Sequence, residues 1–193
     1  MNPQIVVKYR LIVEIVYILI NYNSILQNEY VTATPNRIVE KMSEVEEIPL
    51  KTILVPLDGS DLSFKAAKYA VKIAKMAYAN IICVHAVVNL PYGGYASAGV
   101  AINQYFDDMK KQAQEWYGKV NDMAEKAGVK VSAADTIFDV VSVANAIISY
   151  AETNHVDLII MGTKGRTGIK KFVLGSVASS VLSHAPCPVL VVR

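Results

Sequence analysis

The sequence has few cysteines, and the two that it has predict neither a metal site nor a disulfide framework. Cys83 and Cys187 lie far apart, each inside an apolar run, and the chain contains no CxxC pair and no cysteine–histidine cluster. The simplest interpretation of both is a small, buried core residue. This cysteine usage is typical of a reducing compartment, so we expect a cytoplasmic protein.

Net charge and long apolar runs are also scarce. The formal net charge is +2 over 193 residues, which is too small to predict nucleic-acid binding from global electrostatics. The clean apolar run after Glu14, IVYILI, is far shorter than the roughly 20 residues that a membrane-spanning helix needs. We therefore expect neither nucleic acid nor a membrane as a partner, and any functional charge to be local.

The first 41 residues differ in character from the rest, because lysine, arginine and glutamate interrupt their apolar stretch. We interpret residues 1–41 as an extension outside the core, and residues 42–193 as the folded domain. One hypothesis is that the extension is upstream sequence read through from a misassigned start. The alternative is an amphipathic helix that docks on the domain.

From Met42 onward, strand-like apolar runs alternate with segments of helical periodicity. The five strand-like runs are KTILVPLDGS, NIICVHAVV, VKVSAADTIF, VDLIIMG and CPVLVVR. Such alternation predicts an α/β fold, a doubly wound five-stranded parallel sheet with helices on both faces. Ligands of these folds bind at the carboxyl ends of the strands, near the switch point of the strand order.

The segment MGTKGRTGIKKFVLGS follows the fourth predicted strand and therefore lies where a ligand is expected. Glycines allow a positive φ and a close backbone approach to an anion, and the helix that starts at Gly175-Ser176 adds free N–H groups. The segment is neither a Walker A loop nor a dinucleotide fingerprint. Its spacing alone leaves two interpretations open, a phosphate-binding loop and a mobile basic turn.

The C-terminal third resembles the universal stress protein family, whose G-x-x-G-x(9)-G-[ST] pattern it matches at Gly162, Gly165, Gly175 and Ser176. KTILVPLDGS resembles the first strand of that family and ICVHAV the second. The resemblance implies a Rossmann-like sheet with strand order 3-2-1-4-5. It also implies the ATP-binding branch of the family, with ATP or AMP as ligand and Mg²⁺ or Mn²⁺ accompanying it.

The resemblance also implies which residues bind the nucleotide. They lie at the ends of the first, second and fourth strands and at the start of the last helix: Pro56, Leu57, Asp58, Ala86, Met161, Gly162, Lys164, Gly165, Arg166, Gly175, Ser176 and Val177. No side chain is expected to bind a metal directly, although Asp58 is a candidate for orienting a metal-bound water. Asp58 has an alternative interpretation as an ordinary turn residue.

The implied function is a cytoplasmic, nucleotide-binding regulator of the stress response, a homodimer paired through its last strand, Pro188–Arg193. We expect at most slow ATP hydrolysis, because nothing in the sequence orients a catalytic base. The alternative is a protein-interaction module that keeps the fold without the nucleotide. We further expect His85 and Trp116 to be packing residues and His184 to cap a helix end. The loop Asn89–Gln104 is either a lid, a partner surface or a tolerated insertion.

Overall fold

The computed structural model describes residues 50–88, 99–139, 142–165 and 174–193. The N-terminal extension, residues 89–98 of the long loop and Arg166 lie outside these ranges, so the domain start at residue 42 stays a prediction. Strands and helices alternate throughout the described part, as predicted. In chain order they are β1 (Thr52–Pro56), α1 (Asp61–Ala77), β2 (Asn80–Val88), α2 (Gly99–Ala127), β3 (Val131–Asp139), α3 (Val143–Thr153), β4 (Leu158–Gly162), α4 (Ser176–His184) and β5 (Val189–Val192).

The five strands form one parallel sheet in the order β3-β2-β1-β4-β5, which confirms the predicted topology. The chain builds outward from β1 through β2 to β3, then returns to place β4 on the other side of β1. The strand order therefore reverses between β1 and β4. Pro56 and Gly162 end these two strands, so the switch point lies where the candidate glycine segment begins.

Each face of the sheet carries its own apolar core. Alternate strand residues such as Ile53, Val55 and Cys83 pack with α1 and α2. The intervening residues, among them Leu54 and Val84, pack with α3 and α4. Both faces of the central strands are thus covered, which explains why their sequences are almost continuously apolar. Within the described ranges, no helix has the length and apolar character needed to cross a membrane.

Local sequence signals set several helix ends. Ser60 caps α1 and Ser142 caps α3, and each hydroxyl accepts a hydrogen bond from the backbone N–H three residues on, at 3.2 and 3.0 Å. Gly128 follows α2 with a φ of +70°, as expected for a glycine after a helix. The sequence extended the long loop to Gln104 and so predicted that α2 starts at Tyr105, which was wrong. The helix begins at Gly99 rather than Tyr105, because neither proline nor glycine occurs between Val100 and Tyr105.

Asp157 fixes the position of β4 beside β1. One of its carboxylate oxygens accepts hydrogen bonds from the backbone N–H groups of Lys51 and Thr52, both at 2.8 Å. Since Asp157 immediately precedes β4 and Thr52 begins β1, this contact ties the amino ends of the two central strands together.

Candidate functional site

The turn after β1 holds Asp58 in a defined orientation. Asp58 Oδ1 accepts hydrogen bonds from the backbone N–H of Ser60 at 3.0 Å and from its hydroxyl at 2.6 Å. Ser60 in turn caps α1, so the carboxylate is built into the start of that helix. This is the turn chemistry that the sequence offered as one interpretation of Asp58. It leaves room for the other interpretation, because Asp58 also lines a cavity.

The glycines after β4 are required for space rather than for an unusual backbone. A Cβ on Gly165 would lie 2.5 Å from Asp58 Oδ2, and one on Gly162 would lie 3.0 Å from the Cβ of Leu62 in α1. A Cβ on Gly175 would lie 3.1 Å from the carbonyl oxygen of Thr163. The backbone N–H of Gly175 donates to that same oxygen at 2.9 Å. The three glycines therefore allow two loops and a helix to approach one another closely.

The expectation of a positive φ at Gly165 was wrong. In the described part of the chain, the glycines with positive φ are Gly59 and Gly128, and neither belongs to the glycine pattern after β4. Gly175 has a φ of −66° and acts as the N-cap of α4, so Ser176 is the first helical residue rather than a capping side chain. Glycine is needed at these positions because neighbouring segments pack closely against them, and sequence spacing does not reveal such tertiary contacts.

A cavity of about 310 Å³ opens at the carboxyl ends of β1, β2 and β4. This volume is near the lower end of the range of small-molecule sites, roughly 300–1,000 Å³. All the predicted site residues except Arg166, which lies outside the described residues, line it: Pro56, Leu57, Asp58, Ala86, Met161, Gly162, Lys164, Gly165, Gly175, Ser176 and Val177. The topology thus brings together residues that the sequence places in four separate segments.

Sequence reasoning missed five residues of the cavity wall: Ser63, Val143, Ile147, Thr163 and Ala178. Thr163 and Ala178 adjoin predicted residues, so attention to the neighbours of the glycine pattern would have found them. Val143 and Ile147 stand one helical turn apart at the start of α3. Only the packing of α3 over the sheet shows that this apolar pair faces the cavity.

Leu57 lines the cavity, but its side chain packs mainly into the apolar core rather than against the cavity. It is only 2% exposed and packs in the core on the α1–α2 side of the sheet. Ala86, Val143 and Ile147 belong instead to the α3–α4 side. The small and branched side chains on that side therefore form the apolar wall of the cavity.

The cavity is electrostatically suited to an anion at the α4 end. Lys164 and Asp58 are the charged residues among those that line it. Gly175, Ser176, Val177 and Ala178, the cap and first turn of α4, also border the cavity. The first N–H groups of a helix lack acceptors within the helix and carry its positive dipole end. Lys164 and this helix start together favour a negatively charged group.

A larger groove of about 540 Å³ lies along α1 and has a different character. Its lining consists of side chains of that one helix: Asp61, Phe64, Lys65, Lys68, Tyr69 and Lys72. No loop residue lines this groove, and none of the predicted site residues does. The solvated face of an amphipathic helix accounts for it, whereas the chemistry of the glycine segment points to the smaller cavity.

Cys83 is a buried core residue, as predicted, whereas the same prediction was wrong for Cys187, which is only partly buried at the edge of the α3–α4 core. Cys83 is fully buried, and burial raises the pKa of its thiol to about 12. Cys187 is half-buried, and its pKa is raised to about 11, chiefly by burial. Both are free thiols. Across the described ranges, no group of three or more histidine, cysteine, aspartate or glutamate side chains is arranged to hold a metal ion.

His184 and His85 have the structural roles that the sequence predicts. His184 Nδ1 donates to the carbonyl oxygen of Ser180 at 2.9 Å in the last turn of α4, which confirms its role at the helix end. His85 is 8% exposed and packs edge-on against Trp116, with ring centroids 5.0 Å apart. Both rings lie on the α1–α2 side of the sheet, behind the cavity.

The fold and cavity define the class of this protein: a doubly wound α/β protein with a glycine-lined cavity at the switch point of its sheet. The chain belongs to the universal stress protein family, whose model matches residues 49–193. A universal stress protein of Methanocaldococcus jannaschii is 41% identical over 143 residues, which cover 74% of this chain and 82% of the relative. The resemblance stated from the glycine pattern is therefore confirmed at the level of the family.

Solved structures of the family share the fold. UspA from Lactobacillus plantarum is 24% identical, with a TM-score of 0.69 over 76% of this chain and all of that one. A universal stress protein solved in complex with cAMP is 25% identical, with a TM-score of 0.50 over 74% of this chain and 96% of that one.

Proposed function

We propose that the cavity binds an adenine nucleotide, ATP or AMP, and that the protein is an ATP-binding universal stress protein regulated by nucleotide occupancy. The observation that carries this proposal is the convergence of the glycine pattern, Lys164 and the start of α4 on one cavity that also contains Asp58. The phosphates would lie at the α4 end. The base and ribose would lie toward the strand ends.

The phosphate end has the donors that the ligand requires. Gly162, Gly165 and Gly175 border the cavity without side chains of their own, and the first turn of α4 presents N–H groups. Lys164, which is half-buried in the cavity wall, supplies a positive charge. Backbone N–H groups at a helix start combined with a lysine are a recurrent solution to phosphate binding.

The opposite end fits a flat, largely apolar ring. Ala86, Val143, Ile147 and Met161 supply an apolar wall, and Asp58 supplies acceptor oxygens at its edge. A mainly hydrophobic lining with a few placed polar groups is typical of small-molecule sites. The relative solved with cAMP supports an adenine ligand in this family.

Any Mg²⁺ or Mn²⁺ would arrive with the nucleotide. Asp58 is the carboxylate that lines the cavity, and one carboxylate suits a hydrated Mg²⁺ held mainly by phosphate oxygens and water. No cavity residue other than Asp58 offers itself as a base. Because its Oδ1 already accepts hydrogen bonds from Ser60, we propose that any ATP hydrolysis is slow and depends only on positioning of the substrate and on a metal ion.

We also propose a cytoplasmic homodimer. The two free thiols suit a reducing compartment. β5 (Val189–Val192) is an edge strand of four apolar residues, three of them half-exposed, and Pro188–Arg193 is the proposed pairing segment. A second copy would cover this edge, which otherwise invites non-specific pairing. Residues 42–193 remain our proposed domain, and residues 1–41 the extension.

Calorimetric titration with ATP, AMP and adenosine tests the proposed function. Wild type should bind ATP, and Lys164→Gln should weaken ATP binding by about tenfold, as expected for loss of one charge-assisted contact. Adenosine affinity should be unchanged in the variant, since it lacks phosphates. Lys126→Gln, an exposed lysine in the last turn of α2, is the matched control and should behave as wild type.

The alternative is a fold that serves only as a protein-interaction module. Absence of ATP and AMP binding at millimolar concentration by the folded wild type would reject the nucleotide proposal and leave that alternative. An equal loss of adenosine and ATP affinity in Lys164→Gln would contradict the assignment of the phosphates to the α4 end.

A further inference from the structure

A buried histidine and the chain's single tryptophan lie directly behind the turn that carries Asp58. His85 is 8% exposed and Trp116 is 7% exposed, and their rings meet at 83°. His85 belongs to β2 and Trp116 to α2, so two separate elements contribute to the pair. Neither residue lines the cavity. Their influence on it would have to pass through the β1–α1 turn.

His85 holds the residue before Asp58. Its Nδ1 lies 2.8 Å from the carbonyl oxygen of Leu57. A carbonyl oxygen can only accept, so Nδ1 carries the proton and donates. The N–H of Leu57 donates to the carbonyl of Val84 at 2.8 Å, which fixes the other side of the same residue. The backbone is therefore anchored to β2 at both polar groups of Leu57.

Trp116 holds the residue after Asp58. Gly59 has a φ of +79°, and a Cβ placed there would overlap the indole ring, with Cε2 only 2.6 Å away. The ring thus occupies the space that a side chain would need. Gly59 suits this position both because of its φ and because of the close approach.

We propose that His85 and Trp116 are positioning residues for Asp58, which fix the backbone on both sides of it and so aim its carboxylate into the cavity. The carboxylate itself is held between Ser60, which donates to Oδ1, and Gly165, whose Cα faces Oδ2. The consequence for ligand affinity rests on the proposed nucleotide function. The positioning of the turn does not.

Two substitutions of His85 separate hydrogen bonding from packing. His85→Leu keeps an apolar side chain of comparable bulk but cannot donate to the Leu57 carbonyl. His85→Asn places an amide N–H at the same distance along the side chain as Nδ1, so it retains the donor while losing the ring. The asparagine variant is therefore the conservative rescue, and urea denaturation establishes that both variants are folded.

The first measurement uses no ligand. Hydrogen exchange at the Ser60 amide reports on the turn, because this N–H is bonded to Asp58. We expect about tenfold faster exchange in His85→Leu and a change of less than about threefold in His85→Asn. The Val129 amide, bonded to Ala124 at the far end of α2, is the control and should exchange as in wild type.

The second measurement is ATP affinity, which should fall about tenfold in His85→Leu and recover in His85→Asn. Unchanged Ser60 exchange in the leucine variant, or equal effects in both variants, would overturn the positioning role. Absence of ATP binding by wild type would instead reject the proposed function, while the exchange experiment would still decide the positioning role.

Discussion

The contact between Gly165 and Asp58 predicts that a single methyl group disturbs the cavity. In Gly165→Ala, the new Cβ would lie 2.5 Å from Asp58 Oδ2 and must move about 0.9 Å away to reach the 3.4 Å of ordinary contact. Asp58 cannot rotate freely to make room, since its other oxygen accepts two hydrogen bonds from Ser60. Either these bonds weaken or the loop after β4 shifts.

The magnitude follows from the bonds at risk. A hydrogen bond to a charged group is worth about 1.5–3 kcal/mol, and partial weakening of one gives a loss of about 1–2 kcal/mol in the free energy of unfolding. If the loop moves instead, the phosphate end of the cavity changes, and ATP affinity should fall about tenfold. Urea denaturation and calorimetric titration measure the two quantities.

A matched glycine provides the control. Gly118 lies within α2, and a Cβ there would meet no heavy atom within 4 Å. Gly118→Ala should therefore stabilise the protein, by about 0.5–1 kcal/mol, through its helix propensity. It should leave ATP affinity unchanged.

A double-mutant cycle gives the decisive result. In an Asp58→Ala background the carboxylate is gone, so adding Gly165→Ala should cost less than about 0.5 kcal/mol. An equal cost with and without Asp58 would refute the steric argument, because the penalty would then come from the loop backbone alone.

Three further predictions follow from other parts of the structure. Gly59→Ala should lose about 1–3 kcal/mol of unfolding free energy, more than Gly128→Ala, because both glycines have positive φ but only at Gly59 does a ring fill the space. For Cys83, whose pKa rises from 9.0 to about 12, the thiol contributes stability below pH 9 that is lost as pH rises toward 12. Urea titrations across that range should show a steeper fall in wild type than in Cys83→Ala, by about 1.4 kcal/mol per pH unit, and parallel curves would contradict the burial argument. Val191→Pro should give monomers in sedimentation without unfolding. The carbonyls of Pro188 and Val192 accept hydrogen bonds from the β4 segment, so in this parallel pairing the N–H of Val191 points outward, whereas Leu190→Pro would break the ladder with β4. A dimeric, folded Val191→Pro would argue against pairing through β5.

The order of the elements could be predicted because each carries its own periodicity. β2 matches the predicted segment NIICVHAVV at both ends. The central strands of the sheet are covered on both faces, so continuous apolar runs identified them. The glycine pattern then placed the candidate site, since its residues are close in sequence and recur in a known family.

What the sequence could not reveal depends on contacts between distant segments. The need for glycine at position 165 arises from a carboxylate supplied by another loop, so local reasoning assigned it to a positive φ that does not occur. Val143 and Ile147 resemble any apolar face of a helix until α3 is placed over the sheet. Likewise, nothing in the β2 sequence indicates that His85 reaches the Leu57 carbonyl.

The meeting of Asp58 and Gly165 has a consequence for how the protein matures. The two residues come from opposite ends of the domain, and they meet only when β4 has inserted beside β1. A growing chain on the ribosome therefore has no complete cavity until nearly all of the domain has been synthesised. A ligand that needs this cavity would recognise finished molecules alone and, by binding them, would shift the folding equilibrium toward the native state.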